Sequence, residues 1–170
     1  MRILNAVAGL ALMIAAGVCL VAGLQSGDRM PSADDLPEEI VLISLLVPTG
    51  DEGRKNLESP TTRFHGFSEI GRARFTAIED RRALFGALQD GIKNHDPSTT
   101  KCFDPRHAVS LRSGANSVDY VICFACGNYL LIRNGAQKGI NTFDRSARDT
   151  FNRFLKREGV PLSPGAEKDR

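Results

Sequence analysis

The sequence predicts an α+β domain, an antiparallel sheet of about five strands with two helices on one face, preceded by one N-terminal transmembrane or signal segment. Three observations carry this reading. Ile3 to Leu24 is a long apolar run. Short β-branched runs further on are separated by Gly, Pro, Asn and Asp clusters, the pattern of strands and turns. Two later stretches repeat apolar residues at helical spacing.

The apolar run holds 22 residues, with Asn5 its only amide or charged member and Arg2 just before it. That length spans a bilayer. A cleavable signal has the same order of features but a shorter apolar region, and Val21-Ala22-Gly23 offers a small-residue cleavage site. Cys19 lies inside the run, where it serves as a small apolar residue. Arg29 is the only Lys or Arg soon after the run, so residues 25 onward are expected on the outer side of a bacterial cytoplasmic membrane, or secreted if the leader is cut. The membrane is therefore the first expected partner, through residues 3–24.

Residues 25–37 (QSGDRMPSADDLP) have tether chemistry, residues 38–163 are expected to form one domain, and residues 164–170 a disordered tail. The domain has about 130 residues at most, enough for one core. The whole chain is 42% hydrophobic and 25% charged with a net charge of +2, which suggests no nucleic-acid partner. The lack of Trp and the presence of two Tyr also argue against an aromatic platform for bases or sugars.

Glu39 to Val47 (EIVLISLLV) reads as a strand buried on both faces and stopped by Pro48-Thr49-Gly50. Arg63 to Thr76 reads as a bent strand, with bulges at Gly66 and Gly71; His65 within it reads as a rim residue. Asp80 to Asn94 places Leu84, Leu88 and Ile92 on one helical face, with Asp80 as a first-turn cap and with Gly86 and Gly91 lowering helix propensity. His107 to Arg112 and Ser117 to Phe124 flank the turn composition Ser113-Gly114-Ala115-Asn116, so a hairpin is expected with Arg112 near Ser117. Tyr129 to Arg133 is a further strand, ending at Asn134-Gly135. Asp144 to Glu158 is a second amphipathic helix with Ala147, Phe151, Phe154 and Leu155 on its apolar face, capped by Asp144 and ended by Gly159 and Pro161.

Chemistry concentrates in Cys102-Phe-Asp-Pro-Arg-His107 and Cys123-Phe-Ala-Cys126-Gly127, a C-x4-H-x15-C-x2-C pattern. Two close pairs of soft or borderline ligands suit a tetrahedral zinc site on Cys102, His107, Cys123 and Cys126. An exported domain equally favours a disulfide, from Cys102 to Cys126 or Cys123 across the strand ends. Three cysteines in the domain leave one over, which keeps zinc alive beside the bridge. Two further readings use the same residues: Cys123 and Cys126 as a redox pair, although no helix N-terminus activates them, and Cys102 as a nucleophile with His107 as base and Asp104 as its orienter. Arg106 and Asp104 read as structural supports.

CFDPRHAV followed by VDYVICFAC resembles a set of uncharacterised bacterial exported or membrane-anchored proteins with CFxPRH and ICFxC segments. The resemblance covers about Ile70 to Pro161 and implies one module with no known activity. The expected function is a non-catalytic, membrane-anchored module with a structural Cys/His cluster, binding an unidentified protein or small-molecule partner; the alternative is a thiol-redox or metal-dependent enzyme using that cluster.

Overall fold

A computed structural model of the chain describes residues 35–46, 62–94 and 102–167. Residues 1–34, including the expected membrane segment and its Cys19, lie outside the described residues. Among the described residues no helix is long and apolar enough to cross a membrane.

The elements run β1 (Glu39–Leu46), β2 (Arg63–Phe64), β3 (Phe67–Phe75), α1 (Ile78–Lys93), β4 (His107–Ser113), β5 (Asn116–Cys123), β6 (Asn128–Arg133), β7 (Ala136–Thr142) and α2 (Ala147–Arg157). The strands form one antiparallel sheet in the order β2-β3-β1-β4-β5-β6-β7. The class is α+β as expected, but the sheet has seven strands where about five were expected.

Two local features account for the difference. The expected bent strand is a hairpin: His65 and Gly66 take φ of 48° and 90° and turn the chain between Phe64 and Phe67, which face each other across the ladder. Gly66 therefore makes a turn, and the expected bulge occurs near Gly71, where Ser44 pairs with Gly71 but Leu45 with Glu69, leaving Ile70 extra. The second feature is β7, an edge strand reached through Asn134 and Gly135, both at positive φ. Two such residues in a row fit the tight turn that suits the twist of a hairpin.

Alternation along the strands divides the core into two layers. Ile40, Leu42, Phe75, Val109, Leu111, Tyr120 and Ile122 face one side, where α1 contributes Leu84, Phe85 and Leu88 and α2 contributes Phe151, Phe154 and Leu155. Val41, Ile43, Leu45, Ala108, Val121 and Ile132 face the other, closed by Phe64, Phe67 and Phe103. No described helix supplies that second layer. The sheet curls instead, so that His65 in the β2–β3 turn reaches past β1 and β4 to Asp119 of β5, with Nε2 2.6 Å from Oδ2.

The helix ends depart slightly from expectation. The first helix starts at Ile78 behind Ala77, which makes no side-chain cap, and Asp80 is bonded by Arg157 of α2 instead. Asp144 acts two residues ahead of the Ser146 cap of α2: its Oδ1 accepts the Ser146 N–H at 2.8 Å. At the far end Gly159, at φ 69°, lets its own N–H reach the Lys156 carbonyl and the Val160 N–H reach Leu155, the paired bonds of a Schellman stop. Residues 164–167 then return to α2, where the buried Asn152 donates to the Ala166 carbonyl.

Candidate functional site: a three-cysteine cluster

The β5–β6 connection is the four-residue turn Phe124-Ala125-Cys126-Gly127, bounded by the Cys123–Asn128 pair. Gly127 takes φ 67°, the left-handed conformation that an L side chain resists, and so closes the turn. Closure brings Cys126 back onto Cys123. Their Cα atoms are 5.2 Å apart, within ordinary bridging range, and the two sulfurs form a disulfide. The expected bridge from Cys102 to Cys126 or Cys123 is thus replaced by one within the C-x2-C segment.

Cys102 stands beside that bridge. Its Sγ is 2.7 Å from the Cys126 Sγ. The segment that carries it, residues 102–106, is fixed from both ends. Asn128 Nδ2 donates to the Cys102 carbonyl at 3.3 Å, and the Leu45 N–H donates to the Arg106 carbonyl at 3.0 Å. Between those ends Arg106 bonds the Asp104 carboxylate at 3.3 Å, and the Phe103 ring meets Phe67 edge-on. Asp104 and Arg106 therefore hold the loop, in line with their expected supporting role. The Asp104 N–H also points at the Cys123 Sγ at 3.4 Å, and the Cys126 N–H reaches the same sulfur at 3.2 Å. The Gly127 turn and the Cys102 loop thus each aim one backbone donor at the Cys123 sulfur.

His107 is placed elsewhere. Its register partners are Ser44 and Ile122, so it shares the helix-covered face with Ile122, while Cys123, the next residue along, points to the opposite face. The His107 ring packs edge-on against Phe124, and its Nε2 lies 2.7 Å from Asn152 Oδ1 on α2. Three of the four residues of the expected zinc set come together, and two of these spend their sulfurs on each other. Among the described residues no group of three or more His, Cys, Asp or Glu side chains is arranged to hold a metal. The Cys102–His107–Asp104 arrangement likewise lacks its base, because His107 faces Asn152.

The pair His65–Asp119, like Asp80–Arg157 and His107–Asn152, has no counterpart in the sequence pattern. His65 and Asp119 are 54 residues apart, and no local pattern links them. A cleft of about 510 Å³ also opens between the end of α2 and residues 159–167, edged by the Lys156–Glu167 ion pair, and none of the cysteines lines it. No protein-family model, curated protein or solved structure matches this chain.

Proposed function

We propose that the chain is a membrane-tethered module on the outer side of the cytoplasmic membrane, and that its three domain cysteines form a thiol–disulfide centre. Ile3–Leu24 supplies the tether, and an oxidising exterior keeps one bridge formed. The observation that carries the reading is the approach of Cys102 Sγ to a bridged sulfur, at 2.7 Å. Exchange requires a thiolate within reach of a disulfide sulfur, and that pairing is built into this loop.

A second reading makes the bridge a structural staple on a module that binds an unidentified partner. Burial favours it: Cys123 and Cys126 are 0% and 1% exposed. Loop entropy weighs the other way. A bridge closing so short a loop restricts the unfolded chain by about 2 kcal/mol, whereas joining Cys102 to Cys126 would restrict it by about 3.5 kcal/mol. A staple selected for stability would join the distant pair.

The test uses the full chain in detergent micelles with Cys19→Ser, equilibrated at graded ratios of reduced to oxidised dithiothreitol. Thiols are then trapped with acid and counted by alkylation and mass spectrometry. A thiol–disulfide centre gives a reversible two-thiol transition with the circular dichroism of the fold unchanged. A bridge that opens only together with the fold would establish the staple instead.

A further inference from the structure

Burial and reactivity are divided among the three cysteines. Cys123 and Cys126 are closed off from solvent, while Cys102 is exposed. A protein thiol approaching from outside meets Cys102 and cannot align with either bridged sulfur. We propose that Cys102 is the port of a three-cysteine relay through which the buried Cys123–Cys126 bridge oxidises an external dithiol, such as a pair of reduced cysteines in another exported chain. The proposal rests on the thiol–disulfide reading above and adds to it the order of the sulfurs and the class of substrate.

The relay starts when Cys102 loses its proton to solvent and its thiolate attacks the Cys126 Sγ, 2.7 Å away. The Cys102–Cys126 bond forms as the Cys123–Cys126 bond breaks, and the electron pair leaves on Cys123, which takes up a proton. Exchange is faster when the departing thiolate is the more stable one. Here the leaving sulfur is the one that faces two backbone N–H groups, those of Asp104 and Cys126. Backbone donors converging on one atom form a small anion site. In a C-x2-C pair at a helix N-terminus the dipole plays this part; here the Gly127 turn and the Cys102 loop supply it.

The new bridge includes an exposed sulfur. A thiolate of the external dithiol attacks Cys102 Sγ, forming a mixed disulfide and releasing Cys126 as a thiolate that takes up a proton. The second thiol of the substrate then attacks the mixed disulfide and releases Cys102. The substrate leaves as a disulfide, having given up two electrons and two protons, and the module is left with three thiols. The bonds from Asn128 and Leu45 that fix the Cys102 loop keep the port beside the bridge throughout.

The test uses oxidised full chain carrying Cys19→Ser in micelles, with dithiothreitol as the dithiol. Its reduction rate is compared with that of the same protein carrying Cys102→Ser, both checked for fold by circular dichroism. Loss of the port should slow reduction about tenfold or more, because the buried pair must then be reached directly. Peptide mapping of acid-quenched, alkylated parent protein during the reaction should also find Cys102 linked to Cys126, with Cys123 alkylated. Equal rates in the two proteins overturn the port while leaving the thiol–disulfide centre standing. A parent that dithiothreitol cannot reduce without unfolding overturns both. Should Cys102→Ser not fold, the map decides alone: no Cys102–Cys126 link in any quenched sample refutes the relay.

Discussion

Glycines 86 and 91 both sit inside α1, and each should lower helix propensity by about 1 kcal/mol relative to alanine. Their surroundings differ. A Cβ at Gly86 would meet nothing within 4 Å, whereas one at Gly91 would fall 2.8 Å from both Cε1 and Cε2 of Phe143, with Cζ between them. That ring is 2% exposed and is held edge-on by Phe124 at 5.6 Å and Tyr129 at 5.7 Å, so it has nowhere to swing. Gly86→Ala should therefore stabilise the domain by up to about 1 kcal/mol. Gly91→Ala gains the same propensity but adds overpacking of about 1–3 kcal/mol. Because the propensity term is common to both, the difference between the two variants measures the steric cost alone. Urea unfolding of the two full-length variants, followed by circular dichroism, gives that difference from the midpoints. Equal stability of the two to within about 0.5 kcal/mol, the usual scatter of neutral substitutions, would refute the packing of Phe143 onto α1. The Phe143 N–H also bonds the Gly127 carbonyl at 2.8 Å, so a displaced ring should disturb the cysteine turn as well.

Three further outcomes are expected. Arg157 donates two hydrogen bonds to Asp80, at 2.8 and 2.7 Å, and holds that carboxyl below the usual carboxylate range. A lowered native pKa adds stability above the ordinary carboxylate pKa of about 4 that is lost as pH falls through the native value. Asp80→Asn should thus be less stable than the parent near neutrality, with the gap in Tm closing in acid; a gap that persists unchanged to about pH 2 contradicts the pairing. Both tyrosines are pushed up by burial, Tyr120 strongly, so neither phenol should ionise before the fold opens. Stability should fall as pH rises past about 10, where the unfolded chain releases those protons first, and ultraviolet titration should show both tyrosinates forming together with unfolding. Asn152 bonds both His107 Nε2 and the Ala166 carbonyl from a buried site, so Asn152→Ala should cost about 1–3 kcal/mol in urea unfolding, and a loss under about 0.5 kcal/mol would show that neither bond matters.

Residues with a clear period fold as that period predicts. Both helices follow their apolar stripes, and the β4–β5 hairpin has the expected register, with Arg112 opposite Ser117. Strand β7 has no such stripe because it forms a sheet edge: Ala136–Thr142 is mostly exposed, and its one large apolar residue, Ile140, is 58% exposed. Only Asn134-Gly135 announced it. The β2–β3 turn at His65–Gly66 is not distinguishable from a bulge by local pattern, because a glycine in a strand-like segment fits either. In the cluster, spacing alone could not choose among the sulfurs, since the choice depends on the Gly127 turn. The separation of His107 from Cys123 follows from the hairpin itself. The hairpin register puts His107 opposite Ile122, and alternation then sends Cys123 to the other face. His65 and Asp119 meet only through the curl of the whole sheet, which no local pattern encodes.

The position of β1 governs the order in which this protein can be assembled. It is the first strand among the described residues, yet it lies inside the sheet, between β3 and β4. A ribosome or translocon delivers Glu39–Leu46 early, and both edges of that strand wait until residues 67–75 and 107–112 follow. During the interval the chain carries EIVLISLL, a run with high β propensity and a single charge, the composition that promotes strand-to-strand association between unfinished chains. Pairings this distant in sequence form slowly. Folding therefore belongs to the stage after most of the chain has emerged, once His107–Ser113 has arrived to cover the second edge of β1.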